Sequence, residues 1–162
     1  MVNVVVFYVT LVGTCAYALL RGGPPERIGA GIFIAATVLT GIAASSSRPG
    51  FQSMEAGILL VDAAMFVAFL VLALRAQRFW PLWMTGLQAV QVAGHAARLV
   101  DPEMIPWAYA IAQGFWSYPM MALLILGTWR HRQRLKRFGV DNSWVSSSTR
   151  SPQQNASPGP PV

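Results

Sequence analysis

Charge is what this sequence has least of. Only 11% of its 162 residues are Asp, Glu, Lys or Arg, against about 25% in a soluble globular domain. Apolar residues make up 54%, and the mean hydropathy is +0.46. That balance excludes a disordered chain and an ordinary cytosolic enzyme. Cysteine occurs once, as Cys15 inside an apolar run, which excludes an intramolecular disulfide, a disulfide scaffold and a Cys-based metal site. Catalytic signatures are also missing. The chain has no HExxH, no GxSxG, no P-loop and no dinucleotide fingerprint, so no catalytic residue, metal or cofactor is expected.

What charge there is has one sign in excess: +6 overall, with a pI near 10.5. A nucleic-acid partner would ask for a basic stripe interleaved with aromatics along a soluble face. Here the basic residues flank apolar runs, where they anchor a chain in a membrane. The expected partner is the lipid bilayer, with no nucleic acid.

The apolar runs give an all-α, polytopic transmembrane helical bundle of five spans, at about 2–20, 28–44, 54–74, 82–98 and 106–129. Residues 2–20 carry no charge and, at about 1.5 Å per residue, reach across the hydrocarbon core. A cleavable signal is the competing reading, since Ala16-Tyr17-Ala18 resembles a cleavage site. The missing basic n-region argues for a retained first helix. The glycines and prolines of residues 21–27 form a turn. The second span is short and rich in small residues, and Gly31 and Ala35 offer small-xxx-small spacing for close helix packing. Residues 1–137 form the transmembrane domain. Residues 138–162, rich in Ser and Pro, form a disordered cytoplasmic tail.

Orientation follows from the positive charges. With the run Arg130, Arg132, Arg134, Lys136, Arg137 inside, the inner segments hold ten Lys and Arg and the outer segments two. The positive-inside rule then gives N-terminus out and C-terminus in. Trp107 and Trp129 lie 22 residues apart, about 33 Å, matching the two interfacial belts. The basic run reads as a topology anchor that also suits anionic lipid headgroups.

Ionisable groups inside a membrane are costly and need partners. Glu55 and Asp62 share a face of the third span. On the fourth, Met84, Gln88, Gln91, His95 and Arg98 occupy a band about 80° wide. The opposite face carries Gly86, Ala89, Ala93 and Ala97, a smooth surface for close packing. Counting from the hairpin between these spans sets Asp62 level with His95, and Glu55 level with Arg98. Gln113 on the fifth span lies level with Gln91, an expected closure of the cluster, and Pro119 on that span predicts a kink. The cluster reads either as structural glue between helices or as a proton, ion or ligand site, because a carboxylate and an imidazole at one depth can exchange a proton. His95 and His131 stand at opposite ends of the bundle, too far apart to share one haem.

The phrases GFQSMEAG at 50–57 with Asp62, WSYP at 116–119 and GTWRHR at 127–132 resemble those of small multi-span inner-membrane proteins from alphaproteobacteria. The resemblance covers about residues 50–137. It implies a bacterial inner-membrane location and brings no activity or site with it. Two functions stay open. One is a non-enzymatic scaffold or accessory subunit, packing against a larger membrane complex or a second copy of itself. The other is a small oligomeric transporter or proton-linked channel that uses the Asp/His/Gln cluster.

Overall fold

The computed structural model describes residues 2–46, 51–100, 106–139, 141 and 144, with nothing described for the side chains at 2–3, 46, 51–55, 99–100 and 106–113. The described chain is helical almost throughout: α1 Val2–Arg21, α2 Pro24–Ser46, α3 Phe51–Arg75, α4 Trp80–Val100 and α5 Pro106–Phe138. Proline opens α2 and α5 and stands second in α4, where its fixed φ suits the first turn and its missing N–H costs nothing. Gly139 closes α5 at φ +70°, and its N–H donates to the Leu135 carbonyl at 3.0 Å, as expected of a left-handed helix cap. Pro119 lies inside α5, which runs unbroken through it as one helix.

Consecutive helices pack against one another, α5 returns against α1, and α2 also touches α5. Five helices thus form a closed ring. Its interior holds Phe33, Phe69, Met84, Met120, Met121 and Leu124, each 5% exposed or less. Phe33 and Phe69 meet edge to face, with centroids 5.8 Å apart. Unbranched methionines suit the irregular gaps between packed helices.

The outside is as apolar as the inside. Leu20, Leu60 and Leu74 are 75%, 71% and 72% exposed, while Thr14, Glu26, Asp62, Gln88, His95 and Thr128 are buried. In water such a surface would aggregate, and in lipid it is the ordinary arrangement. Among the described residues, Val4–Arg21, Pro24–Ser45 and Ala56–Arg75 are long and apolar enough to cross a membrane. The described residues form a helical bundle with three such helices.

The small residues work differently from the expectation. Gly31, Ala35, Gly86, Ala89, Ala93 and Ala97 are all exposed, so these faces turn away from the bundle. The close approaches fall at Gly29 and Gly127 instead. Both flank the Trp80 indole, and a Cβ at either would lie within 3.0 Å of the ring. Trp80 is a wedge that α2 and α5 accommodate only by having no side chain there.

That geometry yields a paired prediction. Gly127→Ala should destabilise the bundle by about 1–3 kcal/mol through overpacking against Trp80. Gly31→Ala, whose Cβ meets nothing within 4 Å, should be neutral or stabilising by up to about 1 kcal/mol from helix propensity. Thermal unfolding of both variants in one detergent checks the contrast, and equal effects would refute the wedge.

Candidate functional site

Two polar centres lie inside this apolar shell. The first joins α3 to α4. Asp62 is 7% exposed, in a helix whose neighbouring residues are almost all apolar, so its carboxyl has to find partners on another helix. It finds them on the polar face of α4. His95 Nε2 sits 2.8 Å from Oδ2. Gln88 donates to Oδ1 at 3.1 Å and to the Asp62 backbone carbonyl at 3.2 Å. Gln91 lies 3.3 Å and 3.4 Å from the two carboxyl oxygens. The three-four spacing of Gln88, Gln91 and His95 along α4 produces this result, since it stacks three polar side chains on one face against one level of α3.

The structure therefore brings together Asp62, Gln88, Gln91 and His95. Arg98 is also buried at this end of α4, 7% exposed, and takes part in further interactions. The side chains of Glu55 and Gln113 lie outside the described residues, and with them the expected pairing of Glu55 with Arg98 and of Gln113 with Gln91. Of the anchor residues, Arg130, Lys136 and Arg137 are exposed, and Arg132 and Arg134 are partly buried. The run is helical, a continuation of α5.

The second centre was not anticipated. At the opposite end of α4, the Trp80 indole N–H donates to Glu26 Oε1 at 3.1 Å, and Arg78 Nε lies 3.8 Å from the same oxygen. Glu26 is fully buried in the first turn of α2, where the helix dipole favours a negative charge. Arg78 then grips Asp141 with both terminal nitrogens, at 2.8 Å and 2.6 Å, in the fork geometry that makes Arg–carboxylate pairs strong. His131 Nδ1 contacts Asp141 Oδ2 at 2.5 Å, and Arg134 Nε lies 3.1 Å from Oδ1. Residues from α2, α4, the hairpin before it and α5 meet in one network.

Asp141 and Trp144 fall in the segment read from sequence as tail. Here Asp141 is 4% exposed at its side chain, and Trp144 forms an antiparallel bridge with Ala76. The chain thus folds back past Arg137 because two arginines and a histidine hold a carboxylate there. Residues 145–162 lie outside the described residues. A signal for this centre was available. Glu26 and Asp141 are the two acids in segments that otherwise carry ten basic residues, and an acid in such surroundings attracts partners.

Burial alone would raise the Asp141 carboxyl, but the Arg78 and His131 hydrogen bonds, with the Arg78 and Arg134 charges, outweigh it and hold the group below its usual 3.8. A carboxyl lowered on folding contributes stability above its unfolded value and loses it as pH falls through the lower folded value. Asp141→Asn should therefore lower the unfolding temperature near neutrality, and the gap from the parent should close below pH 3.8. A gap that persists unchanged into stronger acid would contradict this account. At the other centre, Asp62→Asn should retain the fold because an amide still accepts from the glutamines. Asp62→Leu should lose about 1–3 kcal/mol by leaving buried polar groups unmatched.

Among the described residues, no group of three or more His, Cys, Asp or Glu is placed to hold a metal ion. No protein-family model, curated protein or solved structure matches the chain, so a functional reading stands on these two centres and the surface around them.

Proposed function

We propose that the chain is a five-span protein of the bacterial inner membrane, N-terminus outside and C-terminus inside. In this reading it acts as a non-enzymatic scaffold or accessory subunit of a membrane complex. The observation that carries the reading is the division of α4. Its polar face is committed to Asp62 of α3, which turns Gly86, Ala89, Ala93 and Ala97 outward. A smooth, small-residue face in lipid lets another helix approach closely and gain van der Waals contact along its length. The basic inner end of α5 and the resemblance to alphaproteobacterial inner-membrane proteins support the location and orientation.

A second reading, a small oligomeric transporter or proton-linked channel, draws on one contact. The 2.8 Å approach of His95 Nε2 to the Asp62 carboxyl is within proton-transfer reach. The first reading is favoured because the contacts of Asp62 with Gln88, Gln91 and His95 join the two helices, as a cross-brace requires.

A photo-reactive residue in place of Ala93, expressed in native membranes, separates the two. The scaffold reading expects cross-links to a different protein. A ladder of self-conjugates favours the oligomeric transporter, and the absence of any protein adduct overturns the partner face. Orientation is checked by reporter fusions after Ser46, Gln77, Glu103 and Arg137, which should read out, in, out, in. A cytoplasmic signal at Glu103 would overturn the five-span arrangement.

A further inference from the structure

Between α4 and α5, at the end that carries the basic run, lies a groove of about 300 Å³. We propose that it is a binding site for one anionic phospholipid, with the headgroup phosphate at the arginines and an acyl chain along the leucines. The site goes beyond the scaffold reading but rests on its placement of α4 and α5 across the membrane.

The α5 wall is graded. Leu123 and Leu126 line one end of the groove, Arg130 and Arg134 the other. These four residues fall within about 100° of one helix face and span about 16 Å of rise. Apolar wall thus gives way to cationic wall over the distance that separates a lipid's upper acyl chain from its phosphate. Arg130 is exposed and the Arg134 side chain is 38% exposed, so both can reach a ligand in the groove. A planar guanidinium offers a phosphate paired donors, which suits Arg better than Lys here.

The wall formed by the start of α4 and the residue before it is aromatic. Phe79 and Trp83 are 63% and 56% exposed and meet edge to face at 5.8 Å. Exposed aromatic rings of this kind occupy the headgroup level of a bilayer. Between the walls, Gly127 and the buried Trp80 form the floor, rigid because the indole is wedged and bonded to Glu26. Arg78 and Arg134 border the groove too, but both share the Asp141 carboxylate, which offsets part of their charge. The ligand's charge is therefore matched chiefly by Arg130. Basic pockets between helices on the cytoplasmic side are a recurring form of anionic-lipid site.

The test uses the full chain in nanodiscs containing a photo-reactive phosphatidylglycerol or the equivalent phosphatidylcholine, with labelled peptides mapped. The anionic probe should label the segments around Phe79–Trp83 and Leu123–Arg130 more strongly than the zwitterionic one. Arg130→Gln should reduce that labelling about fivefold, the effect expected from one arginine near an anionic surface. Arg132→Gln, the same charge change outside the groove, should leave it unchanged. Inorganic phosphate should not compete, because the acyl contacts belong to the lipid. Equal losses from the two variants would overturn the site in favour of diffuse surface charge. Equal labelling by the two lipids would overturn it while leaving both helices in the bilayer. No labelling of either segment by either lipid would overturn the membrane placement as well.

Discussion

A carboxyl group on an otherwise apolar helix has to be matched, and much of this architecture follows from how Asp62 is matched. In hydrocarbon the group has no water to turn to, so its oxygens must be met by another helix. Helix α4 does this with three side chains spaced to reach one level of α3. The bond set fixes the rotation of α4 about its axis and its vertical register against α3. Rotation in turn decides what α4 shows to the outside, a row of glycine and alanine. Register decides where its first turn falls, which is where Trp80 enters between α2 and α5.

The two ends of α4 are secured by different physics. Interhelical hydrogen bonds in membranes contribute modestly, about 0.6 kcal/mol each on average, so the Asp62 cluster acts more through geometry than through strength. The Glu26–Arg78–Asp141 network is made of buried charges, where removing one partner costs about 3–5 kcal/mol because the other is left unmatched. It ties the start of α2, the α3–α4 hairpin and the chain beyond α5 into one knot. The Asp62 contact sets the arrangement, and the charged knot resists its opening at the Trp80 end of α4.

Much of this was legible in the sequence. Five apolar segments, separated by Gly, Pro and Arg, are five helices in the structure. The periodicity of Gln88, Gln91 and His95, with the residue count across the hairpin, points at Asp62, and the structure has these four side chains in contact. Periodicity reports which residues share a face, but it cannot say which of two small faces will be covered. Gly31 and Ala35 looked suited to packing, yet Gly29, two residues before Gly31 and so on the opposite side of α2, is where the indole enters. The charged knot escaped for another reason. Its members come from four separate segments, each reading as solvated loop or helix end, and no local pattern links Glu26 to Trp80 or Arg78 to Asp141. Long-range pairing of charges is a property of the assembled fold.

The claim that α3 and α4 meet through Asp62 and His95 has a direct geometric test. With Cys15→Ser as background, single cysteines at 62 and 95 place two thiols where the structure has side chains in contact. A short bifunctional thiol reagent, applied to membranes containing the inserted protein, should link them within one chain and leave neither site open to a lipid-phase label. Absence of the link, with either cysteine labelled from the lipid, would show that these faces do not meet and would remove the contact on which this account rests.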